Sequence, residues 1–150
     1  MKKKILRIFL IILIVFWMYI VFAFSNAGGR ESSGISMKVA KFLVKNKQYI
    51  EYAEKIIRKI AHLSEYAIGA VLVYSLMLTF RLDAKVQFLS SWFSIIFYAI
   101  TDEIHQAFVP GRAGRAIDVF IDSIGALMGI CIMLFIIKMF QLIKHRLTKS

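Results

Sequence analysis

Carboxylates, imidazoles and an amide interrupt the apolar sequence at three separate places. The three groups are His62, Glu65 and Tyr66, then Asp102, Glu103, His105 and Gln106, and finally Asp118 and Asp122. An ionised carboxylate at the centre of a membrane helix costs about 2.5 to 3.5 kcal/mol. We therefore expect these side chains to face one another, water, a cation or basic residues, which is how a binding or catalytic site is built.

The spacing inside each group places its members on one helix face. His62 lies three residues before Glu65 and four before Tyr66, and Asp118 lies four before Asp122. Residues three or four apart are neighbours on a helix surface. The basic residues closest to these groups in the sequence are Arg58, Lys59, Arg112 and Arg115. Because arginine binds phosphate through two parallel hydrogen bonds, this combination could hold an anionic ligand.

Four apolar segments must position these groups. They run over 5–24, 61–80, 86–109 and 117–140, each close to the ~20 residues that a membrane-spanning helix needs. Since 59% of the 150 residues are hydrophobic and only one is proline, we predict one all-α membrane domain over 1–150, a four-helix bundle. A chain that crosses four times brings the start of the second span and the end of the third to the same side as the start of the fourth. All three polar groups lie at those ends.

The linker between the first two spans is amphipathic. Over 36–59, apolar residues recur near helical period and lysines and arginines fill much of the rest. This pattern predicts a basic amphipathic helix at the membrane interface, which a break at Asn46 and Lys47 would divide in two. The alternative is a helical hairpin packed on the bundle.

The first span and the loop charges bear on orientation. The first apolar run is longer than the ~7 to 15 residues of a signal peptide, which favours a retained anchor over cleavage after "SNA" at 25–27. Lysines and arginines divide evenly between the two sides of a four-span model. The first helix usually dominates, and Lys2, Lys3 and Lys4 precede it, so we expect a plasma-membrane protein with both termini in the cytoplasm.

Composition narrows the possible partners. The net charge of +11 favours contact with anionic membrane lipids, and the sequence contains no nucleic-acid-binding module. A single cysteine, Cys131, excludes an intramolecular disulfide and a cysteine-rich metal site. Five residues could instead offer oxygen and imidazole ligands to a divalent cation, namely His62, Glu65, Asp102, His105 and Asp118. Because no H-E-x-x-H spacing is present, we predict no metal, and the sequence indicates no particular cofactor.

Each polar residue also has an ordinary structural interpretation. Asp102 and Glu103 could end a helix near the headgroups, Asp118 could cap the fourth helix, His105 could lie at a polar rim, and "PGRAG" could be a simple turn. Interfacial residues of this kind would not concentrate on one side of the membrane, and this concentration favours a site.

The same residues resemble the VanZ family of small membrane proteins, named for a member linked to low-level teicoplanin resistance. The resemblance rests on Phe24, Ser25 and Asn26, on "RKIAHLSEYAIGA", and above all on "DEIHQAFVPGRAGRAIDVFIDSIGALMG". In relatives the position of Asp122 is usually Asn or Asp. The resemblance implies a cell-envelope protein connected with glycopeptide resistance, but resistance is a phenotype and names no reaction.

Three functions fit the residues. The first is binding, without chemistry, of a lipid, a lipid-linked cell-wall precursor or the antibiotic in an acidic outer-leaflet pocket with basic edges. The binding candidates are Arg58, Lys59, Tyr66, Gln106, Arg112, Arg115 and Asp122. The second is a membrane enzyme acting on such a lipid, with His62 or Glu103 as general base and Arg112 stabilising negative charge. Its candidate catalytic residues are His62, Glu65, Asp102, Glu103 and Asp118.

The third function is ion-coupled transport, which can use carboxylates inside a membrane as relays. It is disfavoured because all the polarity lies at one side and gives no continuous path. The sequence leaves open whether the protein is an enzyme and whether it forms oligomers.

Overall fold

The described part of the chain folds into five α-helices and one short 3-10 turn. The computed structural model describes residues 2–26 and 29–148, with the side chains of 29–33 excepted, and this part contains no strand. The elements are α1 (Lys2–Asn26), α2 (Gly29–Leu43), the 3-10 turn (Lys47–Tyr49), α3 (Ile50–Met77), α4 (Ala84–Ala107) and α5 (Ala116–Leu147). Ala27, the last residue of the possible cleavage site, lies outside the described residues.

Within the described residues, three stretches are long and apolar enough to cross a membrane. They are Lys2–Asn26, Lys47–Met77 and Ala116–Leu147. The third predicted span, 86–109, corresponds to α4, which is 24 residues long. Its serines and Gln87 make it less apolar, so its crossing remains a prediction. Large apolar side chains are exposed along the helices, including Ile5, Phe9, Ile12, Phe16, Phe93, Phe97, Phe135 and Phe140. Such a surface is suited to lipid and supports a membrane protein.

Aromatic side chains hold α1, α3 and α4 together. The indole nitrogen of Trp17 donates to the carbonyl of Glu65 at 2.9 Å, and the hydroxyl of Tyr98 donates to the carbonyl of Met18 at 2.7 Å. The Trp17 ring also lies 6.1 Å from the ring of Tyr66, edge to face. These contacts fix the second half of α1 against the start of the apolar part of α3.

Two glycines let α5 approach α3 closely. A Cβ atom added at Gly125 would collide with the carbonyl oxygen of Leu63, and one added at Gly129 would collide with that of Ala67. The G-x-x-x-G spacing places both glycines on one face, where two backbones can pack together. Residue numbers rise together along this contact, so α3 and α5 run parallel and their starts share one end of the bundle.

The linker forms a hairpin whose second half belongs to α3. The predicted break is confirmed, because α2 ends at Leu43 and Asn46 accepts a hydrogen bond from the backbone of Gln48 at 3.1 Å. The prediction of a separate linker helix up to residue 59 is wrong, since no proline or glycine interrupts the chain between Ile50 and Ala61 and α3 continues into the apolar part. The interfacial position of α2 remains a prediction.

Candidate functional site

A tight turn places Arg112 over the end of α1. The backbone nitrogen of Arg112 donates to the carbonyl of Val109 at 3.1 Å, and Gly111 has a φ of 79°, as the third position of a type II turn requires. The guanidinium then donates to the carbonyl of Phe24 at 2.7 Å. Burial lowers the pKa of Arg112 from its usual value and the nearby Asp102 carboxylate opposes the change. Arginine remains charged throughout, so the turn supplies a fixed cation.

A buried polar network connects three helices under this turn. One carboxylate oxygen of Asp102 accepts from the Tyr66 hydroxyl at 3.0 Å and from the Gln106 amide at 2.8 Å. The same amide nitrogen donates to the hydroxyl of Ser25 at 3.1 Å. All four residues are buried. Asp102, Tyr66 and Gln106 therefore join α3 and α4 to α1, and they position the site from within.

Glu103 connects the end of α4 to the start of α5. Its carboxylate accepts a hydrogen bond from the backbone nitrogen of Arg115 at 2.8 Å, at the N-cap of α5. A carboxylate is favourable at a helix N-terminus because of the helix dipole and the unpaired backbone donors. Gly114 packs against the carbonyl of Glu103, where no side chain would fit. Glu103 thus acts as a capping residue in this structure.

Asp122 and His62 face each other without hydrogen bonds. Asp122 is 0% exposed, and neither of its carboxylate oxygens has a hydrogen-bond partner among the described residues. Nδ1 of His62 lies 3.9 Å from Oδ1 of Asp122 and is itself without a hydrogen-bond partner in the described part of the chain. Buried polar groups are nearly always paired, so this pair is the expected place for a bound water or ligand.

One exposed ion pair lies beside this pair. The ammonium of Lys59 is 3.4 Å from a carboxylate oxygen of Asp118, and the two side chains are 53% and 30% exposed. It connects the starts of α3 and α5 at the surface, where such pairs contribute little to stability.

A cavity of about 500 Å³ opens among these residues, and we call it the polar cavity. Its charged and ionisable lining consists of Lys55, Arg58, Lys59, Arg112, Arg115, Asp118, Asp122 and His62. This differs from the acidic pocket that the sequence predicts. The difference arises because Asp102 and Glu103 are used in contacts between helices, whereas the long basic side chains reach the opening.

A second cavity of about 690 Å³ adjoins it, and we call it the apolar cavity. It lies between the second half of α1, the α2 helix and the start of α3, and it shares Arg58, His62 and Arg112 with the polar cavity. Glu65 lines this second cavity.

Eight of the predicted site residues line the polar cavity, whereas Tyr66, Asp102 and Glu103 line neither cavity and connect helices instead. Glu65 does not line the polar cavity, and His105 lines neither cavity but stacks on Phe22 with ring centroids 4.6 Å apart. Among the described residues, no three His, Cys, Asp or Glu side chains form a group that could hold a metal ion. The proposed alternative of a five-residue metal site is therefore not supported.

Sequence reasoning missed several residues that shape the site. Ser25 completes the buried network, and Lys55 lines the polar cavity. Glu54 is buried, accepts from the Ser36 hydroxyl at 2.8 Å and lies 3.7 Å from Arg58. The sequence feature that could have identified Glu54 is a carboxylate inside a basic amphipathic stretch. It is hard to distinguish there because many other charged residues surround it.

Comparison with known proteins gives one positive finding. No curated protein and no solved structure matches the chain. The family model described as VanZ/LLP1 matches residues 9–138. This range contains the second and third predicted spans, most of the first and fourth, and the residues of both cavities and of the buried network, and the chain therefore belongs to the VanZ/LLP1 family.

Proposed function

We propose that this protein is a multi-pass plasma-membrane protein that binds a phosphate-bearing lipid, such as a lipid-linked cell-wall precursor, in the polar cavity. The observation that carries the proposal is the lining of that cavity. Five basic residues, Lys55, Arg58, Lys59, Arg112 and Arg115, stand against two acidic ones, Asp118 and Asp122. An excess of cations in a concave site favours an anion, and favours phosphate over the amine of an antibiotic.

The buried network supports binding by holding the cavity rigid. Asp102 and Gln106 connect the helices below the cavity, and Arg112 is held by the carbonyl of Phe24. A site whose cations are already positioned loses little conformational entropy when a ligand arrives. We infer that these contacts keep the cavity open in the absence of ligand.

The proposal includes a role in glycopeptide resistance of the teicoplanin type. If the polar cavity faces the outside, a lipid-linked precursor held there would be shielded from an antibiotic that acts at the outer membrane surface. The outward orientation follows from the basic start of α1, with Lys2, Lys3 and Lys4 on the cytoplasmic side.

Lipid binding is tested with purified protein in nanodiscs. The probe is a polyprenyl phosphate, with the uncharged polyprenol for comparison. We expect Arg112→Met and Arg115→Met each to weaken phosphate binding about 10- to 100-fold, since a charged hydrogen bond contributes roughly 1.5 to 3 kcal/mol. Arg81→Met is the matched control, because Arg81 is exposed and lies at the opposite end. Equal binding of the phosphate and the alcohol by the parent would refute the proposal.

Resistance is tested by expressing the variants in a susceptible host and measuring growth in teicoplanin. We expect Asp102→Asn and Glu103→Gln to remove protection and Arg81→Met to retain it. Protection by all the variants at parental protein levels would show that the site has no part in resistance.

Orientation is tested with a membrane-impermeant thiol reagent. Ala113 is exposed and lines the polar cavity, so Ala113→Cys in a Cys131→Ala background should be labelled in intact cells. Asp83→Cys at the opposite turn should be labelled only after the cells are broken. The reverse pattern would overturn the orientation.

A second candidate function is hydrolysis of a lipid phosphate, and Asp122 and Nδ1 of His62, which have no hydrogen-bond partner among the described residues, favour it. His62 would take a proton from a water molecule whose oxygen attacks phosphorus while the bond to the leaving oxygen breaks. Glu103 is a weaker candidate for the base because it accepts from the backbone of Arg115. Mass spectrometry of a polyprenyl diphosphate incubated with the protein decides: loss of phosphate that Asp122→Asn abolishes supports an enzyme, and an unchanged mass supports binding alone.

A further inference from the structure

We infer that the hydrocarbon chain of the bound lipid lies in the apolar cavity, so that the two cavities form one site for a single amphiphile. This inference rests on the proposed function and adds where the chain lies and which class of lipid fits. Its basis is the junction between the cavities, formed by Arg58, His62 and Arg112, which line both.

The walls of the apolar cavity suit a hydrocarbon chain. Its apolar lining includes Ile20, Ala23, Ile35, Val39, Ile57 and Ala61. The volume of about 690 Å³ lies within the roughly 300 to 1,000 Å³ typical of ligand pockets. Apolar walls that end at two arginines match a molecule with a long apolar part and an anionic end.

The open side of the apolar cavity faces the surroundings of the bundle. Ile35 on α2 is 60% exposed and Tyr19 on α1 is 67% exposed. Exposed apolar residues on both edges mean that a lipid could slide in sideways between α1 and α2 without leaving an apolar environment. A ligand that entered from water would cross the polar cavity instead.

The charges at the junction select the head group. The two cavities together are lined by five cations, Lys55, Arg58, Lys59, Arg112 and Arg115, and by three carboxylates, Glu65, Asp118 and Asp122. This excess complements a terminal phosphate or diphosphate, which carries more than one negative charge, better than the single charge of a phosphodiester lipid. The inferred ligand is therefore a lipid monophosphate or diphosphate.

The test is photo-crosslinking of the full chain in nanodiscs. The probe is a polyprenyl phosphate with a diazirine in the chain near the head group, and the adducts are mapped by mass spectrometry. We expect adducts on the apolar cavity lining of α1, α2 and α3, competed by unlabelled polyprenyl phosphate and not by polyprenol or phosphatidylglycerol.

Two neighbouring tryptophan variants sharpen the test. Ala61 lines the apolar cavity, whereas Ile60 is 57% exposed and lines neither cavity. We expect Ala61→Trp to reduce crosslinking at the cavity lining at least tenfold and Ile60→Trp to leave it unchanged. Val39→Trp fills the same cavity from α2 and gives the expected loss independently, should Ala61→Trp fail to fold.

The outcomes separate this inference from the proposed function. Phosphate-dependent binding with adducts spread over the outer faces of the helices, unchanged in both cavity variants, would overturn the inference and leave the proposed function standing. Equal competition by phosphatidylglycerol would overturn the head-group assignment. Binding that does not depend on the phosphate would overturn both.

Discussion

Polar residues at the two ends of the helix bundle differ in their hydrogen bonding. At the end where α1 begins, Arg7 donates to the hydroxyl and the carbonyl of Thr79 at 2.9 and 2.7 Å and lies over the ring of Phe80. Gln87 donates to the carbonyl of Leu82 at 3.0 Å. We call this the closed end, because these polar groups are bonded to the chain itself.

The opposite end, which holds the polar cavity, combines a satisfied layer with an unsatisfied one. Asp102 and Gln106 are hydrogen-bonded inside the bundle, while the buried Asp122 carboxylate and Nδ1 of His62, whose side chain is 22% exposed, have no hydrogen-bond partner among the described residues. An unpaired buried polar group costs roughly 1 to 3 kcal/mol. This difference is one reason for proposing that the ligand binds at the end that holds the polar cavity.

The largest expected effect on stability comes from the glycine contact between α3 and α5. This contact holds together the end of the bundle that contains the polar cavity. Gly125→Ala should lower the free energy of unfolding by about 3 kcal/mol or more, because its Cβ would collide with the backbone of Leu63, which cannot move aside as a side chain can. Gly34→Ala is the matched control, since a Cβ there meets no atom within 4 Å. Unfolding in detergent measures both, and equal stabilities would mean that α3 and α5 are not in close contact.

Removing one charged group from each end gives the next largest effect. Asp102→Ala and Arg7→Met should each cost about 1.5 to 3 kcal/mol of unfolding free energy, because each removes a charged partner from two hydrogen bonds. We expect only Asp102→Ala to weaken binding of polyprenyl phosphate as well. A loss of binding in Arg7→Met at equal stability would mean that the two ends are not functionally distinct.

Asp122→Asn should act in the opposite direction to Asp102→Ala. A neutral amide costs less to bury than a carboxylate, so the variant should be at least as stable as the parent, by up to about 1 kcal/mol in unfolding free energy. A large loss of stability would show that Asp122 has a structural partner. The polar groups at the end with the polar cavity would then be bonded within the chain, as they are at the closed end.

The smallest effect is expected at the exposed ion pair. A double-mutant cycle on Lys59→Met and Asp118→Asn should give a coupling of at most about 1 kcal/mol in unfolding free energy, since both side chains are partly exposed. The coupling should fall as salt is added. A coupling that is large and insensitive to salt would place this pair in the rigid part of the site.

Much of the fold could be predicted from local sequence. The apolar segments and the break near Asn46 follow from length, hydropathy and turn chemistry. The continuous α3 could not be predicted in the same way, because charged residues up to Lys59 and apolar residues from Ala61 suggest two elements although no residue ends the helix between them. A change in polarity does not by itself end a helix.

The sequence was sufficient to predict that the polar groups share one end of the bundle. That result needs only helical period and the alternating direction of successive helices, as shown by the contacts from Tyr66 to Asp102 and from Lys59 to Asp118. Tertiary structure alone decided which of these groups are used internally. Asp102 and Glu103 are adjacent carboxylates, but one binds two side chains and the other caps α5.

Tertiary structure also decides the charge of the polar cavity and the position of the apolar cavity beside it. Arg58 and Arg112 are 54 positions apart, and only the packing of α1 against α3 and the turn at Gly111 bring both to the junction of the two cavities. The physical reason is that periodicity fixes which face of a helix a residue occupies. The partner that each face meets depends on contacts between helices that are distant in the chain. No local sequence pattern specifies those contacts.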